Sequence, residues 1–539
     1  MTDKGRAHGS ESYWILGESL VSVSGGGRCG AGTPSTESSP AASPAAGTPA
    51  FRFSRMGPKG TPLGEATLGK IARAMIAPSG AMGTARGIPA GYTYLGQFVD
   101  HDLTFDQTEV TLGERISPAR LEQGRSPTLD LDSLYGAGPL EEESEKFYEA
   151  DRQHLRTGRT VASPPDAARD GFDLPRGRGK GVVAKRRPII PDPRNDENLA
   201  VAQTHLAMIR FHNRVLDRLP STTPDAVRFA RARRQVVKHY QWMVRHDYLP
   251  RIAAKKVVDD VFTHGRKVFE VGVPMTQMPT MPVELSVAAF RFGHSMIRRD
   301  YDWNRRFPVD QGFLDLLFLF SSTGGDLGSN PRLPSNWIAD WRRLYDFGDA
   351  DRPDLAGPNG VNRAMRIDTI LTNPLEFLPD GTFGGFERGE GALQFNLAFR
   401  NLVRGRMLRL ASGQQMAQLM QDVGVAVAPL TPQQILKGDR GADLGELSAR
   451  EKDALVERTP LWFYVLREAE LGGGRLSGVG ARIVAETFHR AIEGSATSIL
   501  RDTGFAPSLG RTAGRFTMAD LLLFAFEGKK ALLNPLGGS

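Results

Sequence analysis

Apolar residues recur at three- and four-residue spacing through long stretches of this chain. That periodicity constrains the fold more than any other feature. AVAQTHLAMIRFHNRVLDRL (residues 200–219), VELSVAAFRFGHSMIRR (283–299) and GARIVAETFHRAIEGSATSILRD (480–502) all carry it. A stripe of that period is the buried face of an amphipathic helix. Strand-like alternation is scarce from Gly64 onward. The expectation is a mainly α fold in one large domain, and 539 residues can bury a sizeable core. Residues 24–50 are rich in Gly, Ser, Pro, Ala and Thr, and lack the apolar surface to fold alone. Residues 1–55 therefore read as a flexible extension and 56–539 as the folded domain. The Arg-, Pro- and Gly-rich stretch 156–196 reads as a long loop, of a length that is usually functional or mobile.

Charge and cysteine content exclude some classes. A net charge of +7 is modest for this length and does not argue for a nucleic-acid partner. The lone cysteine, Cys29, rules out an intrachain disulfide. No apolar run is long enough to span a bilayer. WILGESLVSVSGG (14–26) comes nearest to a secretory core, but Glu18 interrupts it. With no convincing signal peptide, the expectation leans to the cytoplasm or leaderless export. Nothing in the sequence speaks to the oligomeric state.

YLGQFVDHDLTFD (94–106) sets a histidine between two aspartates in an apolar run. If it is helical, Gln97 and His101 share a face, while Asp100 and Asp102 point about 100° to either side. Taken alone, the triplet reads equally as a solvated helix face with a capping Asp. In RSPTLDLDSLYG (125–136), Ser126, Thr128, Asp130 and Asp132 fall on alternate positions. An extended segment would project their oxygens to one side, which suits Ca²⁺; a turn-rich surface segment has the same composition. In PDPRNDENLAVAQTHLAMIRFHNRV (191–215), Asn195 or Asp196 can cap a helix beginning near Glu197, just after Arg194. His205 and His212 are seven apart on one helical face, placed either as metal ligands or as satisfied core or surface histidines. In AAFRFGHSMIRRDYDW (288–303), His294 follows a helix-weakening Gly293, and Arg291 lies one turn back. In FNLAFRNLVRGRMLRLASGQQ (395–415), Asn401 and Arg404 are one turn apart.

Five motifs in this order, GQFVDHD, LDLDSLYG, PRNDEN…HNR, FRFGHS and RNLVRGR, resemble the animal-type haem peroxidases of the peroxidase–cyclooxygenase superfamily. The likeness runs from about residue 85 to about residue 425 and is that of a bacterial-like member. It implies a mainly α domain holding haem b between distal and proximal helices. It also implies an enzyme that reduces hydrogen peroxide while oxidising small organic donors, halides or pseudohalides, a chemistry suited to the response to oxidative stress. By the same resemblance, His101 is similar to the distal histidine, Gln97 to the distal glutamine and Arg194 to the distal arginine. His294 resembles the proximal iron ligand, and Asn401 the asparagine that bonds it. Arg291 and Arg404 resemble arginines near the haem propionates. Asp102, Ser126, Thr128, Asp130 and Asp132 resemble calcium ligands. Asp100 and Glu197 resemble the carboxylates that form ester links to haem in mammalian members.

Two positions depart from the pattern. Asn198 stands where the strongest halide oxidisers carry a methionine linked to haem, so bromide, iodide, thiocyanate or organic donors are expected rather than chloride. Arg291 stands where the fatty-acid dioxygenases carry a radical tyrosine. A haem-dependent fatty-acid dioxygenase and a non-catalytic haem- or calcium-binding protein are the alternative readings.

Overall fold

The computed structural model describes residues 51–78, 85–108, 110, 112–378 and 393–538. About 46% of the described residues are helical. Strands are short among the described residues, as at β1 (Phe53–Ser54), β2 (Ala85–Pro89), β3 (Met281–Pro282) and β4 (Arg363–Met365). The helices that position the site are α1 (Glu65–Ala74), α2 (Gly91–Leu103), α3 (Leu199–Asp217), α4 (Asp225–Met243), α5 (Leu397–Met407), α6 (Leu461–Leu471) and α7 (Gly478–Glu493). The expected mainly α architecture is the observed one.

The periodic segments fare differently. Residues 200–219 become α3, whose first turn is capped by Asn198 accepting from Val201 N at 2.9 Å. This corrects the expected cap at Asn195 or Asp196, which instead lie in a 3-10 turn, Pro193–Asp196, capped by Asp192. Residues 480–502 are helical only to Glu493, before Gly494. Residues 283–299 do not form one helix. A short α turn, Val283–Ser286, gives way to a 3-10 helix, Ala289–Met296. Arg291 Nε donates to the Ser286 carbonyl at 2.9 Å across that break. Apolar spacing at three residues suits both helix types, so the pattern could not separate them.

α2 packs on α3 and on the 3-10 helix, which also meets α6 and α7; α5 lies against α1 and α6. These contacts join one continuous apolar core. The start of α2 is pinned from outside. β2 pairs antiparallel with β4, Ala90 N donates to Asn362 O at 2.8 Å, and Gly91 N donates to Leu344 O at 3.0 Å. A Cβ at Gly96 would collide with the Tyr248 hydroxyl, so glycine there lets α2 approach that ring.

Two boundary expectations change. Phe53 is buried, and β1 pairs in parallel with β3, Phe53 opposite Met281. Residues 51–55 are therefore packed rather than part of the extension, whose remaining residues, 1–50, lie outside the described residues. The expected loop 156–196 contains a small paired sheet, Gly158–Arg159 with Asp170–Asp173, and a short helix, Val182–Arg186. Buried Arg176 ties it to the 3-10 turn through Asp173 and Asp196, each at 2.8 Å. Among the described residues, no helix is long and apolar enough to cross a membrane.

Candidate functional site

A cleft lies between α2 and the 3-10 helix. Gln97 and Asp100 line it from α2, with Tyr94 and Gly96; Arg291, Gly293 and His294 line it from the other side. Phe290, Phe292, Met296 and Ile297 make its apolar wall. Added at Gly293, a Cβ would meet nothing within 4 Å, so the glycine borders open space.

On the 3-10 side, the Asn401 amide faces His294. Its Nδ2 stands 2.8 Å from His294 Nδ1, and its Oδ1 accepts from Arg291 Nη1 at 3.4 Å. Asn401 itself is buried in α5, behind the histidine. Arg404, one turn on, is ion-paired with Asp106 and is not in the lining of the cleft.

On the α2 side, three consecutive residues point three ways, as helical geometry demands. Asp100 reaches the cleft; burial pushes its carboxyl up to about 6, against the pull of Arg291 and Arg194. His101 is fully buried, and burial, with the Arg194 charge, pushes its imidazole down to about 3. It is therefore a neutral ring at physiological pH rather than one poised near its ordinary 6.5. Its Nδ1 is 2.8 Å from Asn195 Oδ1 and its Nε2 3.5 Å from Glu197 Oε1. Gln97 Nε2 donates to the same Glu197 oxygen, and Asn198 Nδ2 donates to Gln97 Oε1 at 2.9 Å. Gln97 thus connects the cleft to the carboxylate beside His101.

Arg194 is held behind His101 by a carboxylate and two backbone carbonyls. Its Nε donates to Asp192 Oδ1 at 3.0 Å, and its Nη2 to the carbonyls of His101 and Thr104 at 2.9 and 2.7 Å. The guanidinium stacks over Phe105, 4.2 Å from the ring centre. It braces the end of α2 from behind His101 and does not line the cleft. Asp192 also accepts from Arg125; burial would raise its carboxyl, but Arg194 and Arg125 together hold it well below the carboxylate range. Arg is the side chain for such a site because its planar fork serves a carboxylate and two carbonyls at once.

Asp102 leaves the opposite flank of α2. It accepts from Leu131 N at 3.2 Å and from Ser133 N and Oγ at 3.3 and 2.9 Å. Ser126 Oγ lies 2.5 Å from Thr128 Oγ1, which donates to Asp130 at 2.7 Å, while Ser126 N donates to Asp132 at 3.3 Å. The five oxygen-bearing residues therefore gather beneath α2, although the segment is turns and a short helix, Asp132–Tyr135, rather than extended. Burial and the nearby Asp132 push Asp102 up to about 7; burial and Asp130 push Asp132 to about 6. Among the described residues, no group of three or more His, Cys, Asp or Glu side chains is arranged to hold a metal ion. His205 and His212 are fully buried in the core. His212 is held by the Tyr135 hydroxyl and the Gln153 carbonyl, each at 3.0 Å.

Sequence reasoning missed Tyr248, which lines the cleft from a π turn, Val244–Tyr248, at the end of α4. The extra residue of a π turn re-aims a side chain and leaves no mark in the apolar period. It also missed Asn195 as a partner of His101. The only available signal was its place between Arg194 and Glu197.

Comparison with known proteins follows the same lines. Residues 110–316 match the model of the family described as animal haem peroxidase. The matched span holds Arg194, Glu197 and His294. Over 177 residues the chain is 24% identical to heme peroxidase 2 of Caenorhabditis elegans, covering 32% of this chain and 24% of that protein. Over 222 residues it is 27% identical to a peroxidase-like protein of Margaritifera margaritifera, covering 40% of this chain and 26% of that protein. The matched stretches thus span about a quarter of these relatives' length. The fold is similar to that of peroxidase A of Dictyostelium discoideum, with TM-score 0.52, 15% identity, and 84% and 88% of the two chains covered. It is also similar to that of a fatty acid alpha-dioxygenase of Arabidopsis thaliana, with TM-score 0.56, 12% identity, and 90% and 76% covered.

Proposed function

We propose, for a chain whose residues 110–316 match the animal haem peroxidase family, that it is an oxidoreductase that binds haem in the cleft between α2 and the 3-10 helix. We propose further that it reduces hydrogen peroxide while oxidising small organic donors, halides or pseudohalides. One observation carries this reading: His294, backed by Asn401, faces across the cleft to Gln97 and Asp100 of the helix that bears His101.

The lining suits a flat, largely apolar group. Aromatic and aliphatic side chains wall the cleft, Gly293 leaves room, and Arg291 offers a cation for a carboxylate substituent. His294 is the candidate iron ligand. Ligation through Nε2 needs the proton on Nδ1, so Asn401 must present its oxygen to that atom, a half-turn of the amide. Haem, when bound, supplies the redox chemistry that peroxide reduction requires. The protein's part is proton handling. Neutral His101 takes a proton at Nε2 and returns it, with Gln97 and Glu197 between that atom and the cleft. Arg194 acts by holding the His101 carbonyl and the end of α2. Asp100 and Glu197 are the candidate ester carboxylates. Asp100 borders the cleft, whereas Glu197 lies behind Gln97. The oxygen-only chemistry of Asp102, Ser126, Thr128, Asp130 and Asp132 supports calcium as a second cofactor. Asn198, bonded to Gln97, supports donors easier to oxidise than chloride.

A fatty-acid dioxygenase is the second reading, favoured by the fold it shares with the plant enzyme. Arg291 where a radical tyrosine is needed weighs against it. The test is an absorbance spectrum of the haem-loaded protein before and after hydrogen peroxide, with oxygen uptake followed on linoleate. A Soret band that shifts on peroxide, without fatty-acid-dependent oxygen uptake, is the expected result. Oxygen uptake on linoleate would favour the dioxygenase. A haem band indifferent to peroxide would defeat the peroxidase reading.

A further inference from the structure

Asn195 has no part in the chemistry set out above, yet it is fully buried between two imidazoles. Its Oδ1 is 2.8 Å from Nδ1 of His101, and its Nδ2 is 3.0 Å from Nδ1 of His205. An amide has one donor end and one acceptor end. Bridging two neutral imidazoles through the same ring atom, it can satisfy only rings of opposite tautomer. The oxygen requires a proton on Nδ1 of His101, and hence a lone pair on its Nε2. The nitrogen requires a bare Nδ1 on His205, and hence a proton on its Nε2. Among the described residues, Nε2 of His205 has no hydrogen-bond partner, so that ring offers no competing constraint on the bridge.

A second neighbour pulls His101 the other way. Glu197 Oε1 lies 3.5 Å from His101 Nε2. A carboxylate at that distance favours a proton on Nε2, which would leave the ring no lone pair there. Gln97 weakens the pull by donating to the same oxygen. It does not reverse the pull; the acceptor on the far side of the ring does.

We propose that Asn195 is a positioning residue that locks His101 in the Nδ1–H tautomer against the pull of Glu197, with His205 fixing which end of the amide faces His101. The consequence for activity rests on reading His101 as the proton acceptor. The tautomer itself does not, and it can be measured separately.

The full chain carries only ten histidines. Labelled with ¹⁵N-histidine and loaded with zinc protoporphyrin, a diamagnetic stand-in for haem, it can be examined by long-range ¹H–¹⁵N correlation. His101→Gln identifies the signal. The expected result is Nδ1–H for His101 in the wild type, and transfer of that proton to Nε2 in Asn195→Leu. Peroxide consumption by the haem-loaded Asn195→Leu protein should fall about 10²-fold, the scale of a lost general base. Asn195→Asp keeps an acceptor and should restore the Nδ1–H tautomer. Should Asn195→Leu fail to fold, His205→Phe takes its place and should give a mixture of tautomers at His101. Nε2–H in the wild type, or an unmoved proton in the folded Asn195→Leu or His205→Phe protein, would overturn the proposal. A locked tautomer in a protein that does not consume peroxide would leave the lock standing and overturn the peroxide reading instead.

Discussion

At the scale of single residues, the site is organised by what each buried polar group is bonded to. Arg194 illustrates this. A guanidinium standing free in the cleft could be removed with little effect on folding. This one neutralises Asp192 and bonds two carbonyls at the end of α2. Arg194→Ala should therefore lower stability by about 3 kcal/mol, the lower range for breaking a buried ion pair, because Arg125 still serves Asp192. The urea midpoint checks this. Arg194→Lys should lose part of the same stability, since an ammonium cannot span a carboxylate and two carbonyls. His294→Ala carries the opposite signature. It should fold, with a midpoint near that of the wild type, and fail to develop a Soret band when haem is added.

At the scale of elements, two helix ends depend on carboxylates. The loop Ser126–Asp132 is tied to α2 through Asp102; burial and Asp132 push the Asp102 carboxyl up, and burial and Asp130 push up that of Asp132. A divalent cation there would relieve that repulsion and hold α2 in register. Chelation with EGTA should lower the melting temperature and the peroxide rate together, and added Ca²⁺ should restore both. An unchanged melting curve would count against calcium. Glu468 in α6 bonds the first turn of α7, accepting from Val479 N and Gly480 N at 3.0 Å each. Burial pushes its carboxyl up to about 7 from the ordinary 4.5, although both N–H groups lower it. Between those values the folded protein holds a proton that the unfolded chain has released. Stability contributed here is therefore present below about pH 4.5 and is lost as pH rises toward 7. Comparing urea stability at pH 5 and pH 8 in wild type and Glu468→Gln should show that the variant lacks this part of the slope.

At the scale of the whole molecule, β1 and the residues just after it tie the start of the folded part to elements on the His294 side of the cleft. Met56 N and Gly57 N donate to buried Glu284 at 2.8 and 3.1 Å, and Arg55 bonds the carbonyls of Leu408 and Arg409 just past α5. Removing residues 1–50 should leave the unfolding midpoint where it is. Removing 1–57 should cost about 2–5 kcal/mol, because Glu284 keeps its burial and loses two donors. Equal midpoints for the two truncations would show that this strand does not matter to the fold.

The sequence by itself determined the helical class, the course of α3 and the composition of the cleft's two walls. The reason is local: apolar period and residue order are properties of neighbouring residues, and GQFVDHD and FRFGHS each fit within two helical turns. It could not decide where Arg194 would point, because that depends on Asp192 and on carbonyls some ninety positions earlier in the chain. It could not separate a 3-10 from an α helix at His294, nor see the π turn that aims Tyr248. It could not show that an asparagine between Arg194 and Glu197 bridges His101 and His205. These are pairings between buried polar groups on different elements. A buried donor must find an acceptor wherever the fold brings one within about 3 Å, and only the tertiary structure decides which one that is.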